Sequence, residues 1–98
     1  MIGVTQSEMC IVQDILRRYA LECDVVAFGS RTTQTYKPYS DLDLALRCGV
    51  PLSISQLSKI QLAFSESDLP FRVDIVDYNN ASPEFRRIID AHAVRISM

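Results

Sequence analysis

Ninety-eight residues leave room for one hydrophobic core, so a single domain over 1–98 is expected. Hydrophobic residues at 48% and charged residues at 22% fit an ordinary soluble globular protein, and a net charge of −2 offers no basic field for bulk nucleic-acid binding. No apolar run approaches the ~20 residues of a membrane helix, and "MIGVTQSEMC" lacks the pattern of a secretory signal.

Along the chain, Thr5 and Glu8 have the spacing of a capping box. Met9, Val12, Ile15, Leu16 and Tyr19 then recur on one face of a helix of about four turns. "DVVAF" (24–28) is a short β-branched run ending at Gly29, the pattern of a buried strand. A brief helical turn from Ser30 and a loop through Pro38 follow, since proline cannot continue a helix. "DLDLAL" (41–46) alternates, with Leu42, Leu44 and Leu46 on one face and Asp41, Asp43 and Ala45 on the other.

Ser53 and Gln56 form a second capping box, ahead of a stripe of Ile54, Leu57, Ile60 (or Gln61) and Phe64. "FRVDIVD" (71–77) alternates again, with Phe71, Val73 and Ile75 opposite Arg72, Asp74 and Val76. Asp77 faces away from Asp74 and marks a strand end. Ser82-Pro83 starts a last helix, whose Arg86, Arg87 and Asp90 form a solvated face; His92 caps or packs its end, and "VRI" closes as a short strand. This order implies an α+β fold: a small mixed sheet with helices on its apolar face and the acidic side chains on the other.

Cys10, Cys23 and Cys48 are odd in number and form no C-x-x-C pair, which predicts buried, reduced thiols in a cytoplasmic protein. The chemistry concentrates elsewhere. Asp41 and Asp43, two apart on a strand, project the same way about 6–7 Å apart. Asp74 joins them if the two strands are neighbours. Three carboxylates on one face repel and raise one another's pKa values; divalent cations would neutralise them, and hard oxygen donors suit Mg2+ or Mn2+. Two such ions would leave a site that attracts phosphate. A strand ending at Gly29 and turning at Ser30 supplies backbone N–H donors for that phosphate. Gly-Ser alone is a common turn, and Asp-x-Asp alone fits any solvated strand face; only the compound pattern is specific. Tyr36 and Tyr39 flank the loop, as packing groups or as platforms for a base.

Gly29-Ser30, Ser40-Asp41-Leu42-Asp43 and Asp74 within "VDIVD" resemble the signature of the minimal nucleotidyltransferases of the DNA polymerase beta superfamily. "NNASPEFRRII" is similar to the helix that follows in that family. The resemblance implies a nucleotidyltransferase fold and transfer of a nucleoside monophosphate, AMP from ATP, to an acceptor hydroxyl with two Mg2+ (or Mn2+) ions. It implies Asp41, Asp43 and Asp74 as catalytic, metal-holding residues, and Gly29, Ser30, Arg31 and Ser40 as nucleotide-binding residues. Stand-alone members resemble antitoxins that modify a HEPN-type helical partner, so a hetero-oligomer is implied. Thr32 and Gln34 depart from the family's Gly-Ser-x-Ala-x-Gly, which leaves an alternative: a catalytically impaired module that neutralises its partner by covering it.

Overall fold

A computed structural model describes residues 2–33 and 36–97. The first helix, α1 (Gln6–Tyr19), begins where expected: Glu8 N–H donates to the Thr5 hydroxyl (3.1 Å) and Thr5 N–H donates to the Glu8 carboxylate (2.8 Å). The reciprocal bonds satisfy donors that a helix start leaves without partners. Ser53 and Gln56 do the same for α2 (Ile54–Ser65), and Ser82 caps α3 (Pro83–Ala91) with proline at its first position. The strands are β1 (Asp24–Phe28), β2 (Leu42–Arg47), β3 (Val73–Asp77) and a short β4 (Val94–Arg95).

They form a mixed sheet in the order β3-β2-β1-β4. β1 runs antiparallel to β2 and β4, whereas β2 and β3 are parallel. A parallel pair needs a crossover, and α2 provides it. Val25 and Ala27, Leu42, Leu44 and Leu46, and Val73 face one side of the sheet. Val12, Ile15 and Leu16 of α1 and Ile60 and Phe64 of α2 pack there as the larger core.

The expectation that all helices share that face is corrected. Val26, Ala45 and Val76 form an apolar row across the opposite face, in direct register. Water cannot be left against such a row without losing its burial energy, so α3 covers it with Ile89 and Phe85. The rings of Phe28 and Phe85 meet edge to face at 5.9 Å. The face that carries the acids is therefore also packed, beside them, by α3.

Three smaller expectations also change. Ile54 is 84% exposed and takes no part in the α2 stripe, and Tyr19 lies largely outside the α1 stripe. The three cysteines are not alike: Cys10 is exposed, while Cys23 and Cys48 form a disulfide. They flank the Asp24↔Arg47 pair at one end of the β1–β2 ladder, so strand pairing brings them together. Arg86 and Asp90 are not simply solvated. Arg86 donates to the carbonyls of Tyr78 (3.0 Å) and Asn79 (2.8 Å), and Asp90 accepts the Tyr78 hydroxyl (2.8 Å). That accepted bond holds the Tyr78 pKa above its usual range. His92 caps the end of α3.

Candidate active site

One row beyond the apolar stripe covered by α3, the opposite face of the sheet turns acidic. Phe28, Asp43 and Asp74 lie side by side across β1, β2 and β3. The sequence condition for bringing the carboxylates together was that β2 and β3 be neighbours, and they are. Asp41 sits just before β2, in a stretch kept in the sheet's register by the Leu42 N–H bond to the Arg72 carbonyl (2.9 Å). Burial pushes the Asp43 pKa above the usual carboxylate value, and the charges of Asp74 and then Asp41 push it further. Asp43 thus feels the charge of both other acids.

Asp74 has a partner that sequence reasoning left unconnected: Arg72 Nε lies 3.0 Å from its carboxylate. The signal was available, because residues two apart on a strand share a face. Among the described residues, no three acidic, histidine or cysteine side chains stand close enough together to hold a metal ion as they lie. Asp77 points the other way, as expected. It is buried, accepting from Leu52 N–H (2.9 Å), Asn79 N–H (3.1 Å) and the Asn80 amide (2.9 Å), so its role is structural.

β1 ends at Gly29, whose φ of 82° and ψ of −159° belong to a region only glycine enters readily. The chain then makes one 3₁₀ turn, Ser30–Thr32. Two threonines tie that turn closed. Thr32 donates its N–H (3.1 Å) and its hydroxyl (2.6 Å) to the Gly29 carbonyl, and Thr33 does likewise to Ser30 (3.1 and 2.8 Å). Gln34, which with Thr32 departs from the family pattern, lies outside the described residues. Ser30 is exposed beside the acidic row.

Two residues expected to bind nucleotide have partners within the protein. Arg31 is 3% exposed, and its guanidinium donates to the carbonyls of Ser40 (2.8 Å), Pro38 (2.8 Å) and Gly3. It is buried and committed to three main-chain acceptors. The Ser40 hydroxyl accepts from Lys37 N–H (2.8 Å), closing the loop ahead of Asp41. Tyr36 packs against Arg31, its ring centre 5.2 Å from the guanidinium carbon, whereas Tyr39 is 86% exposed.

Comparison with known proteins bears on the family and the fold. The model of the family "Polymerase beta, Nucleotidyltransferase" matches residues 12–97. A relative from Haemophilus influenzae, the "Probable protein adenylyltransferase MntA", is 43% identical over 88 residues, spanning 90% of this chain and 77% of its own. Among solved structures, a toxin–antitoxin complex with AMP-PNP superposes with a TM-score of 0.79 at 21% identity, covering 91% of this chain and 72% of that one. A tri-AMPylated Shewanella oneidensis HEPN toxin in complex with its MNT antitoxin gives 0.72 at 20% identity, covering 94% and 71%. The last two establish likeness of fold. With the family match extending over most of the chain and a close relative spanning nine-tenths of it, the chain belongs to the polymerase beta nucleotidyltransferase family.

Proposed function

We propose that this protein is a protein adenylyltransferase that moves AMP from ATP to a hydroxyl on a HEPN-type helical partner, acting as its antitoxin in the cytoplasm. The observation that carries this reading is the register seating Asp43 beside Asp74, with Asp41 before them and the Gly29–Ser30 turn at the same end of the sheet. The relative named as an adenylyltransferase, and structures of antitoxins of this fold with AMP-PNP or an AMPylated HEPN toxin, support the choice of nucleotide and partner.

In the proposed reaction, the acceptor hydroxyl oxygen bonds to the α-phosphorus of ATP as the bond to the bridging α–β oxygen breaks. Pyrophosphate leaves in line, and the hydroxyl proton passes to a base. The Asp74 carboxylate is the group proposed to orient the acceptor and take that proton. Backbone N–H groups at Ser30 and its hydroxyl would hold the triphosphate. By type the donors suit hard divalent cations: three carboxylates on one face, with Asp43 already disfavoured as a bare anion, which would have to draw together to share an ion. Asp41, Asp43 and Asp74 would hold two Mg2+ (or Mn2+) ions, which when bound supply charge neutralisation for the attacking and leaving oxygens. Asp74 would have to leave Arg72 to join them.

That ion pair favours one second reading, a binding module that neutralises its partner by complex formation alone. Incubation of the two proteins with Mg2+ and ATP labelled at either the α- or the γ-phosphate separates the two. Transfer of the α-label but not the γ-label to the partner is expected. Neutralisation without any label would support the binding module.

A further inference from the structure

Arg31 is a buried cation with no carboxylate within ion-pair distance among the described residues. An unpaired buried charge is costly, and here the cost is offset by main-chain dipoles and aromatic faces. Its carbon Cζ lies 3.9 Å from the centre of the Phe71 ring and 5.2 Å from that of Tyr36. Its three nitrogens donate to three separate carbonyls, of Ser40, Pro38 and Gly3. Gly3 N–H in turn donates to the Arg31 carbonyl (2.7 Å), so the N-terminal segment grips this residue from both sides.

What these partners share is their place. Arg31 lies within the turn that follows Gly29, and Pro38 and Ser40 belong to the loop delivering Asp41. Phe71 stands three residues before Asp74. One planar fork therefore joins each segment that carries a candidate catalytic group. Lysine keeps the charge but gathers its three donors on one nitrogen at the end of a flexible stem, so it cannot reach carbonyls spread around a planar fork or stack flat on Phe71.

We propose that Arg31 is the positioning residue of this site, holding the loop 36–40 against the 30–32 turn so that Asp41 and Asp43 keep a fixed register with the phosphate-binding backbone. The kinetic part of this inference rests on the proposed nucleotidyl transfer; the structural part does not. Misplacement of reacting groups by about 1 Å costs on the order of a hundredfold in rate, so a loosened loop acts on kcat before the fold fails.

The test is amide hydrogen exchange on the full chain, wild type against Arg31→Lys, with kcat and KM for ATP measured on the same samples with the partner protein. Exchange is expected to quicken at least tenfold over residues 36–42 and 30–33 and to stay unchanged across α2, with kcat reduced tenfold or more. Unchanged exchange in the loop would overturn the inference, as would acceleration spread equally through α2, which marks general support of the fold. Quickened local exchange with full kcat would overturn it too. Absence of transfer by the wild type would refute the proposed reaction, while the exchange pattern would still decide whether Arg31 fixes the loop.

Discussion

A Cβ placed on Gly29 would run into Oδ2 of Asp43, so the end of β1 and the central acid of β2 are built against each other and a side chain there would push that carboxylate aside. Two demands therefore fall on one residue: a positive φ and a close approach. Gly29→Ala is expected to destabilise the fold by about 1–3 kcal/mol through backbone strain and to displace the Asp43 carboxylate. Urea unfolding checks the first effect, and loss of Mn2+ binding by calorimetry checks the second.

Asp43→Asn should do the opposite to stability. The folded protein raises the Asp43 pKa above its ordinary 3.8, so the fold prefers the protonated carboxyl. Asp43 thus favours folding most below that value, and the advantage is lost as pH rises from the ordinary value through the raised one. At neutral pH the charged group opposes folding. Asparagine removes the repulsion with Asp74 and Asp41, so without divalent metal the variant should melt a few degrees higher than wild type at pH 7. The gap should close as pH falls below 4. A variant that melts lower at neutral pH would contradict this account of the acidic row.

Divalent metal should reverse that ranking. An ion that binds only the folded state stabilises it by about 2.7 kcal/mol at a hundred times its dissociation constant. Mg2+ or Mn2+ is therefore expected to raise the melting temperature of the wild type and to leave Asp43→Asn nearly unmoved. Calcium-free thermal scans with and without Mn2+ are sufficient to see it.

Arg72 would compete with a metal ion for Asp74, and its ion pair is exposed enough to contribute only about 0–1 kcal/mol to the fold. Arg72→Gln should leave stability within about 0.5 kcal/mol of wild type while tightening Mn2+ binding by no more than roughly tenfold, the equivalent of about 1.4 kcal/mol. Unchanged affinity would mean that Asp74 does not serve the metal.

Much of this molecule could be anticipated from residue types, and what no residue type announces has one cause. Capping boxes at Thr5 and Ser53 and the alternation in "DLDLAL" and "FRVDIVD" are local signals, and the corresponding elements formed. The place of α3 was also written locally, in Ala45 and Val76, which interrupt the polar side of two alternating strands. What could not be read is what depends on pairing between distant segments. The Cys23–Cys48 disulfide needs the β1–β2 register. Burial of Arg31 needs carbonyls at positions 3, 38 and 40, and a main-chain carbonyl has no residue type to announce it.

The disulfide gives one more expectation. Closing a loop across a sequence separation of 25 constrains the unfolded chain, which is worth about 3 kcal/mol. The oxidised protein should resist urea better than the reduced one by that order. In a reducing cytoplasm the same two cysteines would stand as neighbouring thiols.

Intact-mass spectrometry of the proposed HEPN-type partner tests most directly whether the three aspartates carry out AMP transfer. The partner would be incubated with Mg2+, each ribonucleoside triphosphate in turn, and either the wild-type chain or Asp43→Asn. A gain of one or more AMP units with ATP and the wild type, absent with Asp43→Asn, is the predicted result. An unchanged partner mass in a stable complex with the wild type, or equal modification by Asp43→Asn, would contradict it.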